Sequence, residues 1–266
     1  MMKKYFVFIF LAVSFITLLY FLSNFFKNNN LPAINTTSIT STPAIVELSL
    51  SPRPTFYPGV DISGFRVAWI IVRDFEKLKL MSNLEDAKTS TELLINNNCL
   101  YLVSGGFFDQ EGNHIGLFIS DGVMISSSQE NSLFNAYFSL SNNLKPLISK
   151  KVPASARFAV QSGPLIYSGG KVININPDNE ESARRIIVAT TDRNEIVFLV
   201  FYSSLNTLSG PKLNELPGLI KNLNESTSLK IKDALNLDGG SHSAFLEQNL
   251  KLSEIAKIGS FFCIKS

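Results

Sequence analysis

From residue 64 onward the chain is a succession of short runs of β-branched and aromatic residues, and turn signals separate one run from the next. Runs of about four to eight such residues are typical of strands that bury one or both faces of a sheet. The dipeptides Asp121-Gly122 and Arg193-Asn194 lie between neighbouring runs and favour hairpin turns. The pattern predicts strands at residues 65–72, 77–82, 99–106, 115–120, 122–127, 157–163, 185–191, 196–202 and 231–238.

Two segments have the composition and spacing of helices, at about residues 84–96 and 209–223. In the second segment leucine and isoleucine recur on one face, and Pro211 suits the first turn. Pro217 lies inside this helix and predicts a kink or an early break. The sequence therefore predicts an α+β domain, in which a mixed, largely antiparallel β-sheet core carries two main helices.

The amino terminus differs from the rest of the chain in its hydropathy. Residues 5–26 contain no charged side chain, and a helix of that length, at about 1.5 Å per residue, crosses a hydrocarbon core of about 30 Å. Lys3 and Lys4 precede the span and favour a cytoplasmic start. We therefore expect residues 1–27 to form an uncleaved, single-pass transmembrane helix that holds the domain on the extracytoplasmic side of the cell membrane. A cleaved signal peptide is the alternative.

Asparagine, threonine, serine and proline dominate residues 28–43, which have too little apolar surface to fold and are expected to form a flexible linker. The folded domain is expected to cover residues 44–266, with a candidate first strand at residues 44–50. The 24 basic and 22 acidic side chains nearly cancel, and lysine and arginine are scattered along the sequence among acidic residues. A nucleic-acid partner is therefore not expected, and the oligomeric state stays open.

The two cysteines, Cys99 and Cys263, both lie in apolar, strand-like runs. Outside a membrane such a pair can form a disulfide, but two buried free thiols would behave as small hydrophobic residues, and both outcomes stay open. A zinc site lacks ligands, since the cysteines are 164 positions apart and His114 and His242 are 128 apart. No cofactor is expected. Calcium bound at Asp238 is the one metal that stays open, although a single carboxylate supports it.

Each predicted helix is followed by an apolar strand that ends in two glycines, first Gly105 and Gly106 and later Gly239 and Gly240. Glycine pairs at strand ends let the backbone take positive φ or approach a ligand closely, and their amides can face an anion. The simpler interpretation is that both pairs only make turns. A carboxylate close to each pair favours a binding site instead.

A resemblance to a known family is carried by four segments, which are "LVSGGFFDQEGNHIGLFISDG", "AVQSGPLIYSGGK", "RRIIVATTDRNEIVFLVF" and "DALNLDGGSHSAF". In this order they resemble the successive signatures of the phosphodiester glycosidase (NAGPA-like) domain family, and the resemblance runs from about residue 64 to the end. It implies hydrolysis of a sugar-1-phosphodiester with cleavage on the sugar side. Together with the expected membrane span, it predicts a membrane-anchored extracytoplasmic glycosidase that acts on cell-envelope or exopolysaccharide glycans. The implied partner is therefore a glycan or sugar-phosphate substrate.

Hydrolysis of this bond needs a cation for the phosphate charge and carboxylates at the anomeric carbon. Arg185, which precedes an apolar run, is expected to hold the phosphate, and Arg184 is the alternative in the adjacent register. Asp238 and Asp109 are the expected catalytic carboxylates, because both belong to matching segments and lie close to a glycine pair. Which of them is nucleophile and which is base stays open. The alternative to a catalytic role, for each of the two, is that the carboxylate only caps its own loop through hydrogen bonds.

The same segments imply the residues that contact the substrate. The expected substrate-binding residues are Ser104, Gly105, Gly106, Gln161, Ser162, Gly163, Arg184, Gly239, Gly240 and His242. Two of them depart from the family pattern, since Ser104 stands where the family usually has asparagine and His242 where it more often has a small hydroxyl residue. Because serine makes fewer hydrogen bonds than an amide, the alternative function is a catalytically inactive glycan- or anion-binding module on the same fold.

Overall fold

The structure is a computed structural model in which residues 53–177 and 181–266 are described. The membrane span expected at residues 5–26, the linker at 28–43 and the early strand at 44–50 lie outside the described residues. Within the two described ranges, neither helix has the length and hydrophobicity that crossing a bilayer requires.

Seventeen strands lie within the described residues and form three sheets. The first sheet has seven strands in the order β1 (Thr55–Ile62), β2 (Phe65–Val72), β13 (Ile196–Tyr202), β12 (Arg185–Thr191), β14 (Ile231–Asn236), β10 (Leu165–Ser168) and β11 (Lys171–Val172). The second has five strands in the order β16 (Lys251–Leu252), β15 (Phe245–Leu246), β4 (Tyr101–Ser104), β17 (Ser260–Ile264) and β3 (Leu78–Ser82). The third has five strands in the order β6 (Val123–Ser126), β5 (Phe118–Ser120), β9 (Phe158–Ser162), β7 (Ala136–Leu140) and β8 (Pro146–Ser149).

All pairings among the described strands are antiparallel, so the largely antiparallel core is confirmed, while the mixed component expected from the sequence is not found there. Strands β2, β12 and β13 begin and end at the predicted residues, because each is a continuous apolar run bounded by turns. The predicted hairpin between β5 and β6 is also confirmed. Its two turn residues, Asp121 and Gly122, have φ of 48° and 79°, as the favoured two-residue hairpin turns require.

The first predicted helix is present but shorter than expected, since α1 covers Ser90–Asn96. The side chain of Asn83 accepts a hydrogen bond from the Lys88 N–H at 3.0 Å and donates to the Lys88 carbonyl at 2.9 Å. These bonds hold the intervening residues in a turn, because a side chain that satisfies the backbone competes with helix formation. Thr89 then caps the helix, and Glu92 completes the capping box.

The second predicted helix begins later than expected, since α2 covers Leu216–Ser226. A short 3-10 turn at Leu213–Glu215 precedes it. Pro217 therefore lies in the first turn, where its missing N–H leaves no helical hydrogen bond unmade, and the kink predicted for the helix interior is not found.

The main hydrophobic core receives side chains from all three sheets. Four phenylalanines meet in it with ring centroids 4.8–6.4 Å apart, namely Phe138, Phe158, Phe198 and Phe262. They lie in β7, β9, β13 and β17, so each sheet contributes at least one ring. Burying a phenylalanine side chain is worth about 1.5–3 kcal/mol, and this cluster therefore fixes the sheets against one another. Helix α2 packs in a second cluster, with side chains from the other face of the seven-stranded sheet.

Cys99 and Cys263 form a disulfide, and their Cα atoms are 5.3 Å apart. Cys99 lies just before β4 and Cys263 lies in β17, its neighbour in the sheet, so the bond ties two adjacent strands. Leu93 of α1 packs in the same small cluster as the two cysteines. Of the two outcomes that the sequence left open, the structure therefore shows the disulfide and not two free thiols.

The seven-stranded sheet and the sheet that contains β4 meet where β14 and β4 end. The N–H of Asp238 donates to the carbonyl of Gly105 at 3.0 Å, and the Ser104 hydroxyl donates to the Asp238 carbonyl at 3.4 Å. Gly105 in turn donates to the carbonyl of Ser260 at 2.8 Å. The two glycine pairs seen in the sequence are thus neighbours in the structure.

Candidate active site

Asp238 is the most strongly perturbed acid in this region. It follows β14, its side chain is 8% exposed, and no ion pair to it forms within residues 53–177 and 181–266. Desolvation by burial raises the pKa of Asp238 well above the usual value, although a hydrogen bond from the Gly239 N–H opposes the shift. A buried carboxyl that lacks a cationic partner is unfavourable for folding, and such groups concentrate at functional sites.

The turn after Asp238 requires glycine at both positions. A Cβ on Gly239 would lie 2.7 Å from the carbonyl oxygen of Arg184, and Gly240 has φ of +60°. The Gly240 N–H donates to the same Arg184 carbonyl at 2.8 Å. The turn therefore runs directly against the start of β12, which brings Asp238 close to the neighbouring residue Arg185.

Asp238 and Arg185 line one cavity of about 380 Å³. The Arg185 guanidinium is held in the wall by two backbone carbonyls, since Nε donates to Pro211 at 3.0 Å and Nη2 donates to Glu181 at 2.5 Å. The cavity is completed by residues from five loops and turns, which are Phe107, Leu133, Pro177, Glu181, Ala183, Leu213, Gly239, Gly240 and Ser241. A carboxyl, a fixed guanidinium and a glycine turn thus face the same space.

A second cavity of about 500 Å³ adjoins the first, because Leu133 and Pro177 line both. The polar groups described in its lining are uncharged and come from Ser132, Asn135 and Asn176. The two cavities differ in charge, and together they offer room for a ligand larger than one sugar phosphate.

Asp109 lies outside both cavities. Its carboxylate accepts hydrogen bonds from the backbone N–H of Asn113 at 2.7 Å and from the Asn113 side-chain amide at 3.3 Å. These bonds lower the pKa of Asp109, and they hold the loop between Phe108 and His114, which form an isolated β-bridge. The structure therefore does not bring Asp109 together with Asp238 and Arg185.

Arg184 immediately precedes β12 and, unlike its neighbour Arg185, is not among the residues that line the cavity. Its side chain is 1% exposed, and Nε donates to the Ser243 hydroxyl at 2.8 Å. The remaining guanidinium nitrogens donate to the carbonyls of Ser243, Thr207 and Ser253. Burial lowers the pKa of Arg184 to about 10. Its guanidinium therefore ties the segment after the glycine turn to the interior and does not line the cavity.

The first glycine pair also packs against protein. A Cβ on Gly105 would lie 2.5 Å from the Ser260 hydroxyl, and a Cβ on Gly106 would lie 2.4 Å from Cγ2 of Val160. The Ser104 hydroxyl is directed to the Asp238 backbone. These three residues therefore join the sheets beneath the cavity and do not line it.

Gln161, Ser162 and Gly163 are likewise interior residues. The Gln161 side chain accepts from the N–H groups of Leu117 and Gln129, each at 3.0 Å, and donates to two carbonyls. The Ser162 hydroxyl donates to the Asn236 carbonyl at 2.7 Å. A Cβ on Gly163 would lie 2.0 Å from the Leu133 carbonyl oxygen. Their polar groups are already used within the protein, and they support the wall behind Leu133.

His242 is half-buried and does not line the cavity. Its Nδ1 lies 2.7 Å from the Lys257 carbonyl, and its ring meets the Phe108 ring edge-on with centroids 5.3 Å apart. Because a carbonyl only accepts, Nδ1 must carry the proton. His242 thus holds the loop of Asp109 against the glycine turn.

Seven of the described residues that line the cavity were not predicted from the sequence, and among them Phe107 and Glu181 differ in how far the sequence could have indicated them. Phe107 lies within one of the four matching segments, so its position next to Gly106 was an available signal. Glu181 lies in a polar stretch with no motif, and a hydrogen bond from Arg185 to its carbonyl holds it in the wall. In the described residues no group of three or more histidine, cysteine, aspartate or glutamate side chains could hold a metal ion.

A family model described as phosphodiester glycosidase matches residues 97–264. Among solved structures, the chain is similar to the catalytic domain of zebrafish N-acetylglucosamine-1-phosphodiester α-N-acetylglucosaminidase, auto-inhibited by a pro-peptide, with a TM-score of 0.63 and 14% identity over 84% of this chain and 86% of that one. It is also similar to a hypothetical protein from Synechocystis, with a TM-score of 0.52 and 13% identity over 79% of this chain and 61% of that one. No curated protein sequence matches the chain. At these identities the two structures share a fold with the chain.

Proposed function

We propose that this chain, which belongs to the phosphodiester glycosidase family, hydrolyses a sugar-1-phosphodiester on the sugar side of the phosphate. The observation that carries the proposal is the shared cavity of Asp238 and Arg185, two residues that are 53 positions apart in the sequence. A carboxyl and a guanidinium that line one cavity suit a substrate whose reacting carbon becomes positive while its leaving group carries negative charge.

The proposed reaction breaks the bond between the anomeric carbon and the bridging oxygen. Water supplies the new oxygen at the anomeric carbon, and the phosphate leaves as a monoester with both bonding electrons. Arg185 receives the developing negative charge, and its two carbonyl contacts keep the guanidinium oriented before the substrate arrives. A phosphomonoester leaves without strong assistance from an acid, so the reaction does not require a protonated Asp238.

Asp238 therefore acts as a carboxylate that stabilises the positive anomeric carbon, either through space or by a covalent bond. Among the described residues that line the cavity, Glu181 is the other carboxyl, and it takes the place of Asp109 as the second carboxylate, acting as base for the water. Because burial raises the pKa of Asp238, kcat/KM should rise with pH as this carboxyl ionises and reach a plateau above its raised pKa. A falling limb in the same range would assign Asp238 to acid catalysis instead.

The proposed location is the extracytoplasmic side of the cell membrane, with a cell-envelope or exopolysaccharide glycan as substrate. The disulfide between Cys99 and Cys263 supports an oxidising compartment. The uncharged stretch at residues 5–26 supports a membrane anchor. Calcium held by Asp238 remains the weaker proposal for this site, since one carboxylate offers few oxygen ligands.

A second candidate function is a glycan- or anion-binding module without turnover. It is favoured by Ser104, whose short side chain is used by the Asp238 backbone and offers the cavity no amide. Such a module would use the same Arg185 and glycine turn to hold a sugar phosphate and release it unchanged.

The test uses the full-length chain with a panel of 4-nitrophenyl sugar-1-phosphodiesters and with the matching 4-nitrophenyl glycosides, which lack phosphate. Cleavage of a phosphodiester but not of its glycoside supports the hydrolase, and saturable binding without product supports the module. Hydrolysis in ¹⁸O-labelled water identifies the broken bond, because the label enters the sugar when the bond to the anomeric carbon breaks. Label in the phosphate would overturn cleavage on the sugar side. Asp109→Asn is the matched control for Asp238→Asn, since both replace a carboxylate by an amide.

A further inference from the structure

A larger cavity, of about 720 Å³, lies at the other end of β14 from Asp238. Lys232 in β14 lines it, and Asp238 follows six positions later, which is about 20 Å along an extended strand at about 3.3 Å per residue. Its walls are the hairpin of β10 and β11, the end of α2 and the start of β14. We call this cavity the lysine groove, after Lys171, Lys221, Lys230 and Lys232, which all line it.

The lysine groove has an excess of positive charge. Four lysines line it, against two acidic residues, Asp192 and Glu225. Lys221 pairs with Glu225 at 3.8 Å on the exposed surface, where such a pair contributes little. The other three lysines form no ion pair within the part of the chain that the structure describes. Like charges that line a concave surface focus a positive potential, which attracts an anion.

A hydroxyl donor lies in the same groove. Tyr167 lines the cavity, and its hydroxyl makes no hydrogen bond to the residues that the structure describes. The hydroxyl is not one of the buried side-chain atoms without a partner, so it is open to the groove, where a ligand can reach it. The hydroxyl can donate to a phosphate or carboxylate oxygen that the lysines attract.

We propose that the lysine groove binds a strand of an anionic polysaccharide that carries phosphate or carboxylate groups. The volume and the spread of four lysines suit several charged repeats rather than a single small anion. Concavity favours a strand over a membrane surface, because the lysines line a groove around Tyr167 rather than a flat face. The groove is separate from the proposed hydrolytic cavity, and the inference does not rest on hydrolysis.

The test measures binding of the full-length chain to fluorescently labelled dextran sulfate, with unmodified dextran as the neutral probe of the same backbone. We expect Lys171→Ala/Lys232→Ala to weaken binding of dextran sulfate about tenfold, and Tyr167→Phe about threefold. The matched control is Lys150→Ala/Lys151→Ala, which removes the same charge from exposed residues outside the groove and should change binding less than about twofold. Increasing salt should weaken binding of the wild type more than that of the groove variant.

Three outcomes overturn the proposal. The first is wild-type binding to dextran sulfate that is no tighter than to dextran, and the second is an equal loss in the two lysine double variants, which would indicate general charge attraction. In the third, the groove variant binds dextran sulfate as tightly as the wild type does but binds vesicles containing phosphatidylglycerol less tightly, with neutral vesicles as the reference. That result would assign the lysines to a membrane surface. Thermal unfolding of each variant, matched to the wild type, ensures that a binding loss is not a folding defect.

Discussion

The glycine pair that follows β4 and the glycine pair that follows β14 have the same local sequence pattern, and a hydrogen bond from Asp238 to Gly105 brings them together. Both approach other protein atoms closely, but from different sides. Gly105 and Gly106 are covered by Ser260 and Val160, and neither lines the cavity. Gly239 and Gly240 touch the backbone of β12 on one side and line the cavity on the other.

The difference shows that a glycine pair at a strand end indicates close approach, and that the approaching group need not be a ligand. For the first pair the groups are side chains of β17, in the same sheet as β4, and of β9, in the third sheet. For the second pair the group is a strand backbone, and the turn that results presents Asp238 to open space. The first turn is therefore expected to affect stability and the second turn to affect activity.

The largest expected effect belongs to the second turn. Asp238→Asn removes the carboxylate that we place at the anomeric carbon, and kcat/KM should fall about a thousandfold or more. The measurement is steady-state hydrolysis of the best phosphodiester of the panel. Retention of more than about a tenth of the activity would remove Asp238 from the mechanism and with it the contrast between the turns.

The stability of the same variant should change with pH. Burial raises the pKa of Asp238 in the folded chain, so its contribution to stability is fully present below the unfolded pKa of about 3.9 and is lost as pH rises through the folded pKa. Asparagine does not titrate. The free energy of unfolding of Asp238→Asn, relative to the wild type, should therefore increase as pH rises above about 4, as measured by urea denaturation between about pH 3 and pH 8. A difference that is independent of pH would contradict the raised pKa.

The next prediction distinguishes the role of Arg185 in activity from the role of its neighbour Arg184 in stability. Arg185→Lys should lower kcat/KM about a hundredfold with little change in unfolding, because a lysine cannot keep both carbonyl contacts and still present a planar cation to the cavity. Arg184→Lys should instead destabilise the fold by about 2–4 kcal/mol, because its buried guanidinium serves one hydroxyl and three carbonyls. Hydrolysis and urea denaturation are measured for both variants, and the reverse pattern would exchange their roles.

A smaller effect is expected on stability when one glycine of each pair is replaced by alanine. Gly106→Ala should destabilise the fold by about 2–3 kcal/mol, because its Cβ would lie 2.4 Å from Val160. Gly240→Ala should destabilise it by about 1 kcal/mol, since its Cβ has ordinary contacts and only the positive φ is unfavourable. Equal losses in urea denaturation would mean that the two turns are held in the same way.

The smallest effect concerns the carboxylate beside the first turn. Asp109→Asn should keep kcat/KM within about twofold of the wild type, because asparagine retains an oxygen that accepts from the Asn113 N–H. The measurement is the same hydrolysis assay. A loss of about a hundredfold would show that the Asp109 loop reaches the substrate, and the two turns would then share the chemistry.

Much of the sheet structure could be predicted because apolar runs and turn residues agree with each other. Strand β1 is one of several strands that were not predicted, and it was missed because Pro58 and Gly59 interrupt its sequence. The structure places both at a register shift against β2, where Gly59 has φ of +111°. A bulge of this kind depends on the partner strand, and the pattern of one strand does not indicate it.

The site was predicted in part. Asp238 and Arg185 were expected to meet, and the structure brings them to one cavity. The choice between Arg184 and Arg185 could not be made from the sequence, because alternate residues of a strand face opposite sides and only the fold decides which side is open. The lysine groove was not foreseen at all, since Lys171 and Lys232 are 61 positions apart and become neighbours only through the pairing of β10 with β11 and β14.

The place of β17 in its sheet has a consequence for biosynthesis. The last of the described strands, β17, lies between β4 and β3, so a nascent polypeptide leaves the facing edges of both earlier strands without a partner until Ser260–Ile264 has been made. Likewise, Cys99 can form the native disulfide only after Cys263 has been synthesised. Completion of the sheet is therefore a late event in the life of each newly synthesised molecule, and the emerging chain depends on protection of those edges until then.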